Sequence, residues 1–496
     1  MITVDFSEHK DIGLCEQLYN TIKTQIMNAT LKPDSKLPSK RALASHLGIS
    51  VITVQNAYAQ LISEGYIYSI EKKGFYVTDF SDFNIKPHNS NSAQGASTKP
   101  ALTTQTSHTQ PNASRESLTP SPQPPEFFTD FRSNSTNAQK FPFTLWSHTA
   151  RQVLNSQDEK LLNRSDMKGT YELRLAIAEY LLEFRNMQVS PQQIVIGAGT
   201  EALYSMLVQY FGRDKVYAVE NPGYKKAKAI FELNGALCTP IDIDSQGMNP
   251  ESLKKSDVEI IHISPNHHFP TGIVVPVKRR MELLAWANEQ SNCYIIEDDY
   301  DSEFRFNGKP LPTLQSADTQ NKVFYMNTFS KTLAPSFRIS YLVLPANLTA
   351  DFEKKLGAYS CQVSVFEQST LAHFISARFF EKHINKMKNY YRTLRNNLIS
   401  ELQKSPIMPL CKITEQEAGL HFLLTITTDK TPQQIKENLK KNGINVSLLS
   451  DYYYSTYSGR DCTLVINYSA LKKERIAETV ERMSMAIIEV FKAVQQ

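Results

Sequence analysis

The sequence lacks the spacings that cysteine needs for structural work. Its six cysteines, at 15, 238, 293, 361, 411 and 462, are scattered, and no two form a CxxC pair. That argues against a zinc site and against a disulfide framework, and reduced thiols point to a cytoplasmic protein. Net charge is scarce: 54 lysines and arginines against 50 aspartates and glutamates leave a formal +4. The whole chain is no polycation, so any contact with nucleic acid must come from a local patch. Long hydrophobic runs are missing too. The N-terminus, MITVDFSEHK, has no apolar signal core, and no run reaches the length of a membrane span. A soluble chain with no membrane partner is expected. At 496 residues it is too long for one compact core, and two or three domains are expected.

What is present centres on residues 323–340, VFYMNTFSKTLAPSFRIS. The apolar run VFYM reads as a short buried strand that ends in a hydroxyl-rich turn through Thr328 and Ser330. Lys331 follows, and Arg338 stands seven residues on. A lone lysine can be a solvated surface charge. Held in a mostly apolar pocket, it has a lowered pKa and becomes an amine nucleophile able to form a Schiff base with an aldehyde. Thr328, Ser330 and Arg338 are then placed to hold an anion, most simply a phosphate. An aldehyde that carries a phosphate suggests pyridoxal 5'-phosphate (PLP). A second apolar run, YIIEDDY at 294–300, ends in acid. PLP needs a carboxylate against its pyridinium nitrogen. Asp298 is placed for that, with Tyr300 reaching the ring hydroxyl. The other readings of Glu297-Asp298-Asp299 are a solvated loop or a metal site, and no further ligands at suitable spacing accompany them.

Towards the N-terminus, residues 14–28 place apolar side chains at 14, 18, 22 and 26, the spacing of a helix with one buried face. Ser39 is placed to cap a short helix from Arg41 to Leu47, and Gly48 allows a turn. Ser50 caps a second helix over 51–64, with Val54, Tyr58 and Leu61 facing inward. Together these make a helix-turn-helix. YIYSIEKKGFYV adds a hairpin, or wing, around Lys72-Lys73-Gly74. Ile52, Thr53, Gln55 and Asn56 then point at the major groove of double-stranded DNA, where Gln and Asn pair with adenine. Lys36, Lys40, Arg41, Lys72 and Lys73 are placed to contact phosphates. A protein-interaction module is the alternative. Over residues 1–80 basic and acidic side chains balance at eight each, so clustering alone favours DNA.

Residues 81–125 are rich in Ser, Thr, Pro, Asn and Gln and read as a disordered linker. A flexible chain of that length spans about 35–40 Å. From 126 to 496 strands and helices alternate, as in an α/β domain with a mainly parallel sheet. A large domain of about 126–375 and a small one of about 376–496 are expected. Gly199-Thr200 opens a helix after the strand IVIGA, and such a helix start is a natural phosphate site. The charged helix 378–400 is expected to turn its basic face to water.

Several motifs together resemble the fold-type I aminotransferases: AGTEAL at 198–203, ENPGY at 220–224, FPTG at 269–272, IIEDDYDSEF at 295–304 and TFSKTL at 328–333. The IEDDYDSEF and TFSK wording is similar to that of the MocR-type transcriptional regulators. These join a GntR-type winged helix to an aminotransferase-like domain. The resemblance covers roughly residues 10–80 and 125–490. It implies an N-terminal winged helix (1–80) joined by a linker to an α/β fold-type I domain. It also implies PLP as cofactor, operator DNA as partner, and a domain-swapped, head-to-tail homodimer. It places Tyr224 as the ring stacked on the cofactor. The chain departs from the pattern at four positions. Val51 stands where the GntR type commonly has arginine. Phe269 stands where aminotransferases have an asparagine at the ring hydroxyl; His267 or His268 is the substitute, although a loop histidine pair is expected to be solvated. Arg164 takes the place of a tyrosine that reaches the neighbour's phosphate. Asp451 stands near the place of the arginine that holds a substrate carboxylate, where its charge would repel one; Arg460 lies close by in YSGRD. A complete coenzyme site beside a missing carboxylate clamp favours a regulator of the PdxR type, with no catalytic residues in use. Such a regulator senses PLP itself and controls PLP biosynthesis genes. A regulator responsive to γ-aminobutyrate (GABA) or another amino acid, or an active aminotransferase, is the alternative.

Overall fold

Two serine caps define the N-terminal unit. Ser39 Oγ accepts the Ala42 amide at 3.2 Å and starts the helix Lys40–Leu47. Ser50 Oγ accepts the Thr53 amide at 3.0 Å and starts Val51–Ser63. Each cap satisfies an amide the helix leaves open, and its loss typically costs about 1 kcal/mol. Val54, Tyr58 and Leu61 are fully buried, in one cluster with Leu18 and Ile22 of the helix Leu14–Met27. The strands Ile67–Ile70 and Gly74–Val77 pair antiparallel as the wing. This computed structural model describes residues 13–28, 30–70, 73–79, 127–132, 137–306, 311–417, 419–455 and 462–492. The linker expected over 81–125, Lys72 and Arg460 lie outside the described residues.

The large domain is built on an eight-stranded sheet. Its order is Ile194–Gly197, Ser340–Val343, Val323–Thr328, Tyr294–Asp298, Ile260–Ile263, Val216–Asn221, Leu237–Asp244 and Gly247–Met248. The five strands from Val323–Thr328 to Leu237–Asp244 run parallel; Ser340–Val343 and Gly247–Met248 run against them, and Ile194–Gly197, antiparallel to Ser340–Val343, runs with the five. The central strands are buried on both faces, which explains their near-continuous apolar sequence. Parallel order brings the carboxyl ends of Val323–Thr328, Tyr294–Asp298, Ile260–Ile263 and Val216–Asn221 to one edge, where ligands of open α/β sheets bind.

A smaller antiparallel sheet, Cys411–Thr414, His421–Ile426, Cys462–Asn467 and Ser447–Leu448, has its own apolar core. The helix Phe379–Lys404 spans both units: Phe380 and Ile384 pack in the large domain, Tyr391 to Leu402 in the small one. Thr129–Asp130 pairs with Ile444–Asn445, and Phe131 is buried in the small core. Residues at the start of the expected large domain therefore pack with the small one.

The winged helix is not isolated from the sheet. Tyr19 and Tyr66 share one apolar cluster with Val277, Met281, Leu284 and Leu314. At the seam Glu64 is buried, with its carboxylate accepting Tyr19 Oη at 2.5 Å and Gln60 Nε2 at 3.0 Å. The Glu64 carbonyl accepts the Val277 amide at 2.9 Å. On the residue just before Glu64, Ser63 Oγ accepts Arg305 Nη2 at 2.7 Å. Among the described residues no helix is long and apolar enough to cross a membrane.

Candidate functional site

A cavity of about 240 Å³ lies at the carboxyl edge of the sheet. It gathers residues that sequence places far apart: Thr200, Tyr224, Asp298, Tyr300, Thr328, Ser330, Lys331 and Arg338 all line it. Asp298 ends its strand and is 6% exposed. Its Oδ2 accepts Tyr204 Oη at 2.6 Å and lies 3.3 Å from His262 Nε2. Its Oδ1 is buried and accepts no hydrogen bond from the described residues. A buried carboxylate oxygen without a donor is costly, and a ring N–H entering the cavity satisfies it.

The neighbouring acids do other work. Asp299 Oδ2 pairs with Arg185 Nη2 and accepts Tyr325 Oη at 2.8 Å, and its Oδ1 accepts Asn266 Nδ2 at 2.9 Å. Glu297 accepts the Leu314 and Gln315 amides, each at 2.9 Å. Burial pushes the Glu297 carboxyl up to about 7, with the Asp299 charge adding to it. All three acids are buried, so the loop is not a solvated one. Asp298 alone of the three lines the cavity.

Lys331 follows the strand Val323–Thr328. Desolvation pushes its ammonium down to about 8, against the opposing pull of the Asp301 charge. The amine is therefore a better nucleophile near neutral pH than an ordinary lysine. Thr328 Oγ1 accepts the Ser330 amide at 3.1 Å and Ser340 Oγ at 2.8 Å, which fixes the hydroxyl turn. Gly199 caps the helix Thr200–Phe211 at φ 88 with no side-chain cap bond. A Cβ there would stand 2.6 Å from Arg338 Nη2, so glycine lets the guanidinium and the open helix start meet. Arg338 Nη2 is ion-paired with Glu201. Open amides, an arginine and hydroxyls around one end of the cavity suit a phosphate.

The expectation of a solvated histidine pair in the loop 266–272 fails. His267 and His268 are 4% and 1% exposed, not solvated. His267 Nδ1 lies 2.9 Å from Asp301 Oδ2 and 3.1 Å from Tyr300 Oη. His268 Nε2 lies 3.4 Å from Glu220 Oε2, and Nδ1 lies 2.6 Å from Thr271 Oγ1. Burial pushes His268 down to about 3 and Glu220 up to about 8, each away from its charged form. Each histidine is buried because a distant acid meets it. Asp451 also departs from expectation. Its Oδ2 accepts Lys436 Nζ at 2.7 Å and the Leu448 amide at 2.9 Å, and it does not line the cavity. Its charge is met by the Lys436 ammonium. Arg338 is the one arginine in the lining among the described residues. Arg164 is exposed and does not line this cavity.

Sequence reasoning missed Tyr204 and His262, which hold Asp298, and Glu201, Lys226, Ser264 and Pro335 in the lining, where Phe269 also stands. One signal was available. His262 is the single polar residue of the strand IIHI, and a polar side chain in such a run needs a partner.

On the winged helix, Ile52 is 71% exposed and Gln55 and Asn56 are exposed on the same helix. An exposed isoleucine beside two amides suits a groove that presents thymine methyls and adenine edges. Lys36, Arg41 and Lys73 are exposed. Lys40 is half-buried, its Nζ 5.4 Å from the centre of the Phe75 ring. Thr53 is half-buried too, with Oγ1 2.8 Å from Ser50 Oγ in the cap.

Two family models match this chain. "Bacterial regulatory proteins, gntR family" matches residues 14–77, and "Aminotransferase class I and II" matches 131–483. The chain is 33% identical to the uncharacterized HTH-type transcriptional regulator YdeL of Bacillus subtilis (strain 168), over 98% of this chain and 99% of the relative. It is 27% identical to the probable rhizopine catabolism regulatory protein MocR of Rhizobium meliloti, over 96% and 94%. It is 26% identical to the HTH-type pyridoxine biosynthesis transcriptional regulator PdxR of Corynebacterium glutamicum, over 98% of each. The crystal structure of Pyrococcus horikoshii kynurenine aminotransferase matches with a TM-score of 0.65 at 23% identity, covering 74% of this chain and 92% of that one. At that identity the likeness carries the fold alone. Winged helix, sheet order and full-length likeness to regulators agree: the chain belongs to the MocR-type transcriptional regulators, a gntR-family DNA-binding domain followed by a fold-type I aminotransferase domain.

Proposed function

We propose that this regulator takes PLP as its effector and controls genes of PLP biosynthesis, its aminotransferase-like domain serving as a sensor and not as an enzyme. The observation that carries the reading is the buried, donor-less Asp298 Oδ1 in the same cavity as the lowered-pKa Lys331. When bound, PLP supplies an aldehyde that a neutral amine captures and a ring that absorbs visible light. Lys331 would supply the amine, Asp298 would accept from the ring nitrogen, and Tyr300 and Tyr224 would hold the ring hydroxyl and the ring face. Gly199, Thr200, Thr328, Ser330 and Arg338 would hold the phosphate. The name of the PdxR relative supports the choice of target genes.

The working unit in this reading is a cytoplasmic homodimer. In the head-to-tail, domain-swapped form of this dimer, the seat that the winged helix (1–80) takes on Val277, Met281 and Arg305 would lie on the partner's large domain, and Arg164 would face the partner's phosphate. Each subunit then offers one recognition helix to one half of an operator. The test is operator affinity of apo protein titrated with PLP, then with GABA and common amino acids. A change of at least several-fold with PLP alone, and little more with the amines, is expected, within the usual coupling of about 1–3 kcal/mol. Indifference to PLP together with a response to GABA transfers the effector role to the amine.

A further inference from the structure

The phosphate end of the cavity already contains an anion of the chain's own. Glu201 sits in the first turn of the helix Thr200–Phe211 and lines the cavity. Its Oε2 is ion-paired with Arg338 Nη2 and its Oε1 with Lys226 Nζ. Both of those cations also line the cavity. An acid in a first helical turn ordinarily needs no more explanation than the helix dipole. That does not account for a carboxylate that reaches both ways, to the loop carrying Arg338 and to the helix Lys225–Leu233. Contact with Lys226 first, and with Arg338 after it, holds Glu201 below the usual carboxylate range, so it is fully charged at neutral pH.

Resting on the PLP reading, we propose that Glu201 is a built-in competitor for the coenzyme phosphate. It engages Arg338 and Lys226 when the cavity is empty, and a phosphate that enters has to share or displace it. Two anions at one cationic end repel, and the entering one loses part of the charge it would otherwise meet. A prosthetic group is best held by unopposed cations. A signal molecule has to arrive and leave as its concentration changes, and an opposed site permits that. Glu201 thus sets coenzyme affinity without touching the ring, and a ligand that lacks the phosphate does not feel it.

The test compares full-length wild type, Glu201→Gln and Lys331→Ala, each stripped of coenzyme, by visible absorbance titration with PLP and separately with pyridoxal. Glutamine keeps the size and helix preference of glutamate at a position about one-third exposed, so folding is retained. Glu201→Gln is expected to bind PLP roughly threefold to tenfold more tightly than wild type, and pyridoxal with wild-type affinity. Equal or weaker PLP binding by Glu201→Gln, with wild type still showing a Lys331-dependent band, overturns the competitor role and leaves the PLP reading standing; the glutamate would then be organising the two cations. A parallel gain for pyridoxal also overturns it, because the effect would not act on the phosphate. If no protein gains a Lys331-dependent band, the PLP reading fails and this inference falls with it.

Discussion

At the scale of single residues, adjacent acids have opposite fates. Asp298 faces the cavity with a free oxygen, while Asp299 is spent on Arg185, Tyr325 and Asn266. Asp298→Ala should weaken PLP binding by about 1–3 kcal/mol with the fold retained. Asp299→Ala strands a buried arginine and should cost about 3–5 kcal/mol of stability, read as a lower denaturant midpoint. Similar losses of PLP affinity in the two variants would show that the acids are not divided in this way. Lys331→Ala should abolish the visible band of the PLP-loaded protein. The pH dependence follows from the lowered value. With the ammonium pushed down from 10.5 to about 8, the neutral amine grows in as pH rises through 8. The rate of PLP capture should therefore climb to about pH 8 and level off above it. A rate still climbing towards pH 10 would mark Lys331 as an ordinary lysine. Asp298 and Lys331 were legible in the sequence because each sits at or just past a strand with distinctive neighbours, and Arg338 because it stands alone, seven residues beyond the lysine. His267 and His268 were not. Their partners Asp301 and Glu220 lie 34 and 48 residues away, and nothing local reveals that a loop histidine will be met by an acid.

At the scale of elements, caps and periodicity carried most of the information. Ser39, Ser50 and the apolar face of Val54, Tyr58 and Leu61 foretold the helix-turn-helix, because helix starts and buried faces are local properties. The parallel sheet was legible from alternation of runs, but its strand order was not, since order depends on crossovers. The pairing of Thr129–Asp130 with Ile444–Asn445 left no trace at all, being a contact of more than three hundred residues' separation. The helices Lys40–Leu47 and Val51–Ser63 make separate predictions for two kinds of contact. Lys40→Ala should weaken binding to every DNA sequence and flatten the salt dependence. Gln55→Ala should relax preference at one base pair, by about 1–3 kcal/mol of discrimination. A footprint and a salt titration distinguish the two. Uniform weakening by Gln55→Ala would move that residue to the phosphate backbone.

At the scale of the whole molecule, one short segment joins the two ends of the function. Asp298 lines the cavity and Arg305, seven residues on, bonds Ser63 at the end of the recognition helix. Between them Tyr300 lines the cavity and Asp301 meets His267. A ligand that presses on Asp298 and Tyr300 acts on a segment whose far end touches the DNA-binding unit. Arg305→Ala should leave PLP binding within a factor of about two and reduce the PLP-dependent change in operator affinity, which a ligand produces only through unequal affinity for two states. Full retention of that change would place the route elsewhere. Because the apolar cluster beneath the winged helix continues from Tyr19 and Tyr66 into Val277, Met281 and Leu314, heat should not release that unit by itself. Calorimetry should show it melting in one endotherm with the large sheet, and the small domain, with its separate core, in another. Amides on Tyr58 and Ile295 should exchange with deuterium at one common opening free energy. Operator DNA then raises the melting point of sheet strands it never touches, since whatever binds the folded helix also binds against the unfolding of everything fused to it.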